Sequence, residues 1–146
     1  MSESKDDIVK LMNEYCYRID AGDFEGFASL FEHGSFHVLG DPAGALVGKE
    51  AVLGLLQKLT LYDGKPHTKH VLTNVQVDVD ESAGSATAQS YITVYQAVRP
   101  DFPLQAIFLG HYHDLFEKDG DLWRFKSREI SPDLIGDMSR HRADMA

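Results

Sequence analysis

Among the side chains able to move a proton, Asp20 ends an amphipathic stretch and His70 heads an alternating one. An aspartate that accepts from one imidazole nitrogen fixes the tautomer and raises the basicity of the other. That second nitrogen can then take a proton from carbon or give one to a leaving hydroxyl. Asp20 lies one helical turn after Cys16, at the edge of an apolar stripe. There the helix macrodipole disfavours a carboxylate by roughly 0.3–1 kcal/mol, a cost that a nearby imidazolium offsets. Spacing alone leaves two readings open: an acid–base pair, or an exposed helix-end carboxylate and an unrelated sheet histidine.

Tyr15, Tyr91, Tyr95 and Tyr112 offer hydroxyls that polarise a carbonyl or hold a leaving group when they line an apolar pocket; otherwise they pack in the core. Tyr91, Thr93 and Tyr95 share one strand face. His111 and His113 alternate along a strand, with Glu117 beyond, which is half of a metal-binding pattern. No second half follows, and no metal is expected. If Tyr112, Asp114 and Phe116 face inward, period 2 turns both histidines outward, toward a neighbouring subunit. Asp114 is then a pocket carboxylate and a rival base, either protonated or paired with Arg99 or Arg128. Arg124, Lys126 and Arg128 read as one face of the last strand, solvated or paired with acids. Cys16 reads as core, and His33, His37, His67 and His141 join no constellation.

The elements that must position these groups follow from periodicity. Ile8, Leu11, Met12, Tyr15, Cys16 and Ile19 recur at three- and four-residue spacing, a helix opened by a capping box at Ser4 and Asp7 and stopped by Gly22. A short helix with Phe24, Phe27, Leu30 and Phe31 follows, then a strand over 35–39, an irregular loop over 40–48, and a third helix with Val52, Leu55, Leu56 and Leu59 inward. The period then changes to 2, giving strands over 67–80, 85–98, 104–117 and 122–130, with Asp119-Gly120 in a tight hairpin. The tail from Ser131 carries Leu134, Ile135 and Met138, and docks as a short helix. Helices followed by a meander indicate an α+β fold, and a curved sheet capped by helices leaves a pocket.

With 146 residues, 43% hydrophobic and 25% charged, the chain reads as one domain over 1–146, with a core of 6–133 and a tail of 134–146. A net charge of −9 with dispersed Lys and Arg argues against nucleic acid. The lone Cys16 fits a reducing cytoplasm. The charged start Met1-Ser2-Glu3-Ser4-Lys5-Asp6-Asp7 lacks the apolar stretch of a secretory signal, and no apolar run is long enough to span a membrane.

The ordered set of segments resembles the SnoaL-like, scytalone dehydratase-like branch of the nuclear transport factor 2-like superfamily. It comprises Asp20-Ala21-Gly22-Asp23-Phe24 with Leu30-Phe31, Gly48-Lys49-Glu50-Ala51-Val52, Thr68-Lys69-His70-Val71-Leu72-Thr73-Asn74, Gly110-His111-Tyr112-His113-Asp114 and Asp119-Gly120-Asp121-Leu122-Trp123-Arg124-Phe125. The resemblance implies a cone: a curved, mostly antiparallel sheet with three helices on its N-terminal side enclosing a pocket, the cystatin-like α+β barrel. It implies proton-transfer chemistry on hydrophobic molecules without cofactor or metal. Asp20 and His70 stand at the family's dyad positions. Tyr95 matches a second pocket histidine, while Asp114 and Phe116 replace a pocket serine and asparagine. The expected catalytic set is therefore His70, Asp20 and Tyr95, with Tyr15, Tyr91, Tyr112, Asp114, Phe116 and Asn74 binding substrate. The expected function is a cofactor-independent lyase or isomerase, dehydratase-like, for a hydrophobic, aromatic or polyketide-like molecule, in a homo-oligomer, dimer or trimer. The alternative is a non-catalytic binding or assembly module of the same fold.

Overall fold

Apolar stripes and alternating strands leave most side chains only one way to face. A computed structural model describes residues 3–145. Met1, Ser2 and Ala146, the outermost residues of the charged N-terminal segment and of the tail, lie outside the described residues. Three helices, α1 (Glu3–Ala21), α2 (Phe24–Ser29) and α3 (Lys49–Leu56), accompany six strands: β1 (Ser35–Val38), β2 (Leu46–Val47), β3 (Thr68–Asp80), β4 (Ser85–Val98), β5 (Phe102–Asp119) and β6 (Leu122–Ile135). The strands form one sheet in the order β2-β1-β6-β5-β4-β3, antiparallel throughout except where β1 runs parallel to β6. Bulges in β3, β5 and β6 bend it. This is the expected α+β architecture. No helix among the described residues is long and apolar enough to cross a membrane.

The stripe of α1 is buried as its spacing requires: Ile8, Met12, Tyr15, Cys16 and Ile19 all face the core. The helix already runs at Glu3, so Ser4 and Asp7 lie inside it and the expected capping box does not form. Its end is closed by a Schellman motif. Asp23 N–H donates to Arg18 O (2.9 Å) and Gly22 N–H to Ile19 O (3.1 Å). Gly22 has φ +79°, and a Cβ there would lie 2.2 Å from Gly64 O, so only glycine lets the loop before β3 close onto the helix end. Asp23 then caps α2, accepting from Gly26 N–H at 2.9 Å.

β2 forms within the loop expected to be irregular and β5 runs longer than the expected 104–117, but two departures in β6 matter more. In β6 the register skips Lys126, because Leu115 pairs with Ser127 but Phe116 with Phe125. That bulge breaks the shared face expected for Arg124, Lys126 and Arg128. Arg124 reaches Glu117 and Asp119 at the surface, whereas Arg128 is fully buried. β6 also continues to Ile135, past the expected end at Ile130, so Leu134 and Ile135 are exposed strand residues rather than part of a docking helix. Pro132 is tolerated because β6 pairs with β1 only as far as Ile130, which leaves that flank open.

Arg128 and Asp114 form the polar floor of the core. Arg128 donates from Nε to Asp114 Oδ1 (2.7 Å) and from Nη2 to Oδ2 (2.8 Å), with both side chains fully buried. The guanidinium carbon lies 3.8 Å from the Tyr112 ring centre and 4.3 Å from that of Tyr15. Burial alone would lower the Arg128 pKa, but the Asp114 carboxylate raises it, so the charge persists. Removing one member of such a pair strands the other charge. Asp114→Ala is expected to lower the unfolding free energy by about 3–5 kcal/mol, read by urea denaturation. Asp114→Leu with Arg128→Met should recover most of that loss.

Candidate functional site

β3 is the open edge of the sheet, so alternate N–H groups on its outer flank lack a strand partner. The last turn of α1 supplies one. Asp20 accepts from His70 N–H through Oδ2 (2.8 Å) and from the Thr68 hydroxyl through Oδ1 (2.7 Å). The same Oδ1 meets His70 Nδ1 at 2.7 Å. Burial alone would raise the Asp20 pKa. The hydrogen bonds and charge of His70, with Thr68, outweigh it and hold the carboxyl below its ordinary value. An ionised carboxylate only accepts, so the Nδ1 proton points at Asp20 and Nε2 is the ring nitrogen left to exchange a proton with a ligand. The His70 and Asp20 side chains are 6% and 10% exposed.

His70 lines a cavity of about 100 Å³ between the sheet and the helices. Phe36, Leu55, Leu59, Val94, Phe108 and Ile130 supply most of its apolar wall. Tyr15 and Tyr112 join it from α1 and β5. Burial drives the Tyr15 hydroxyl up to about 12 against the pull of Arg128, and pushes Tyr112 up as well, so both stay protonated donors. A wider groove of about 930 Å³ crosses the outside of the same sheet edge, past Tyr17, Lys69, Tyr95 and Leu104, and meets Asp20 and His70 from the other side.

The remaining expected residues do not line the inner cavity. In β4 the inward parity is Ala86, Ala88, Ser90, Ile92, Val94 and Gln96. Tyr91 and Tyr95 therefore point outward, 50% and 39% exposed, and the placement of Tyr95 beside His70 inside the cone is corrected. Asn74 sits at the β3 bulge with φ +57° and is exposed, not in the cavity. Phe116 and Asp114 face inward but below the cavity, Phe116 against Phe125 (ring centres 4.7 Å apart) and Asp114 beneath Arg128. His111 and His113 stack on the outer face with ring centres 4.2 Å apart, and His111 Nε2 meets Gln89 Oε1 at 3.1 Å. Among the described residues no three His, Cys, Asp or Glu side chains gather to hold a metal. Cys16 is a buried thiol, raised to about 11 by burial.

Sequence reasoning has the tail covering the pocket mouth or a neighbouring subunit, but it assigns none of the tail's residues to the site. After β6 it turns back over the cavity, where Met138, His141 and Arg142 line the wall. Thr60 N–H donates to His141 O (2.9 Å), and Arg140 O accepts from the Tyr62 hydroxyl (2.7 Å) and Gln96 Nε2 (3.0 Å). Buried Gln96 also donates to Pro66 O (3.0 Å), tying the tail to the loop that precedes β3. No local period marks these residues. The available signal was Met138, apolar in a polar stretch, with His141 three residues on.

The family described as SnoaL-like domain matches residues 1–129 of the chain. Among solved structures, an NTF2-like protein with a cystatin-like fold from Novosphingobium aromaticivorans superposes with a TM-score of 0.74 at 22% identity, covering 89% of this chain and 82% of that one. A putative scytalone dehydratase from the same organism gives 0.72 at 22%, covering 90% and 85%. LinA gives 0.72 at 18%, covering 91% and 88%. At these identities the likeness is one of fold. No curated protein matches the chain.

His141 generates a pH prediction. Burial first, then the nearby His70 and Arg142, push its imidazole from 6.5 down to about 4, with Asp20 pulling the other way. As pH falls below 6.5 the unfolded chain takes up this proton before the folded one, so stability falls between about 6.5 and 4, and that contribution is fully lost below 4. His141→Phe should flatten this part of the curve of denaturation midpoint against pH.

Proposed function

The chain belongs to the SnoaL-like domain family, and from that premise we propose that it is a cofactor-independent acid–base lyase or isomerase for a hydrophobic small molecule. The observation that carries the reading is the 2.7 Å contact between Asp20 and a His70 ring that walls an apolar cavity. His70 Nε2 takes a proton from a carbon next to a carbonyl, and the electron pair moves onto the carbonyl oxygen. Asp20 stabilises the imidazolium that forms, and the hydroxyls of Tyr15 and Tyr112 face the developing oxyanion in place of Tyr95. The imidazolium then returns the proton, to another carbon in an isomerisation or to a leaving hydroxyl that departs as water in a dehydration. A solved neighbour described as a putative scytalone dehydratase supports the dehydratase-like form. The same reading carries a homo-oligomer joined through the outer sheet face, where Tyr91, Tyr95 and Leu104 are exposed.

One observation favours a second reading. A cavity of about 100 Å³ is well below the roughly 300–1,000 Å³ of ordinary ligand pockets. A hollow that small suits a binding or assembly module with no turnover. Deuterium exchange at the α-carbons of small cyclic ketones in D2O, followed by NMR, separates the two. The wild-type chain should accelerate exchange, and His70→Ala and Asp20→Asn should each reduce it by about 10²–10⁴-fold with circular dichroism unchanged. Rates near wild type in both variants, or no acceleration by the wild type, would reject the enzyme.

A further inference from the structure

The tail brings to the cavity a polar group that the acid–base scheme leaves unused. His141 is 7% exposed and lines the same wall as His70, yet its Nδ1 is buried with no hydrogen-bond partner among the described residues. Buried ring nitrogens are nearly always satisfied, and leaving one bare costs folding energy. The ring is not on a loose end that could turn to water. The backbone N–H of His141 donates to Met138 O (3.0 Å), its backbone carbonyl accepts from Thr60 N–H, and the preceding carbonyl is held from two sides by Tyr62 and Gln96. Arg142 beside it is engaged by Asp144 through two contacts, at 3.1 and 2.7 Å, so the group left open toward a ligand is the imidazole.

We propose that His141 is a substrate-binding residue of the cavity, donating Nδ1–H to the carbonyl oxygen of a compact, single-ring ketone. This rests on the cavity being the substrate site, as argued above. Size sets the ligand class: an apolar cavity of about 150 Å³ holds one benzene, and this one, at about 100 Å³, admits on the order of one small ring while the tail is docked. Chemistry sets the rest. The groups facing His141 are His70, Arg142 and Asp20, and burial among them keeps the ring neutral above about pH 4. A neutral imidazole offers a donor to a carbonyl without adding a second cation beside the His70 that must accept a proton. His70 on the sheet edge and His141 on the tail would then hold the two ends of one C–C=O unit.

The test uses the full chain and two probes of matched shape, cyclopentanone and methylenecyclopentane, in which C=CH2 replaces C=O. Titration by NMR should show the ketone binding about tenfold more tightly than the alkene, with the His141 Nδ1 resonance moving on addition of the ketone alone. His141→Phe should bring the two affinities to near equality while leaving alkene binding in place, and His141→Gln, which restores an N–H, should keep part of the preference. Equal affinities in the wild type, or an undiminished preference in His141→Phe, overturn the proposal. If the Phe variant does not fold, a His141 resonance in the wild type that ignores the ketone overturns it equally. A ketone preference that survives in His70→Ala while deuterium exchange is lost supports the binding role apart from catalysis. Exchange that persists in His70→Ala, with the preference lost in His141→Phe, sinks the catalytic scheme alone.

Discussion

The arrangement depends on one carboxylate meeting the open edge of a sheet. β3 has a strand on one flank only, and a hydrogen-bonding edge left bare invites pairing with another chain. Asp20 covers part of that edge by taking the His70 N–H, the Thr68 hydroxyl and the His70 ring together. One interaction thereby attaches α1 to the sheet, sets the distance between helix and strand that opens the cavity, and selects the imidazole tautomer. The unfavourable position of a carboxylate at a helix C-terminus is offset by three donors. The contact of Gly22 with Gly64 brings helix end and strand start close enough for this to happen.

A second buried charge pair plays a different part. Arg128 and Asp114 lie below the cavity, fully desolvated, with the guanidinium against the rings of Tyr15 and Tyr112. Such pairs are weak net stabilisers, because the cost of desolvation offsets the attraction. This one holds two tyrosine rings in a fixed relation, so their hydroxyls reach the cavity from a rigid base. The cavity thus has a sheet-edge imidazole, a floor-mounted pair of tyrosine hydroxyls and a tail that closes the third side. The closure also limits volume, and a fused polycyclic substrate would need the tail to leave.

Much of the fold was legible because burial imposes periodicity. The α1 stripe, the change of period before β3 and the Asp119-Gly120 hairpin all mark their elements. The inward face of β4 was legible too, and the reading went the wrong way. Ala86, Ala88, Ile92, Val94 and Val98 share one parity, broken only by Ser90 and Gln96, while Tyr91 and Tyr95 share the other with Thr87, Gln89 and Thr93. Aromatic size drew attention to the amphipathic side, whose rings suit an exposed sheet face. The Lys126 bulge was not legible, since one extra residue inverts every parity argument beyond it and leaves no local mark.

By itself the sequence determined the element order, the buried helix stripe, the α+β class and the two residues whose types suit proton transfer, because each follows from local spacing and side-chain chemistry. Only the tertiary structure decided that Asp20 meets His70 across a strand edge, that Arg128 is buried beneath the tyrosines, and that His141 returns to the cavity from the far end of the chain. Those contacts join residues far apart in sequence, and their geometry depends on sheet curvature, one bulge and the docking of a tail. None of these has a periodic signature.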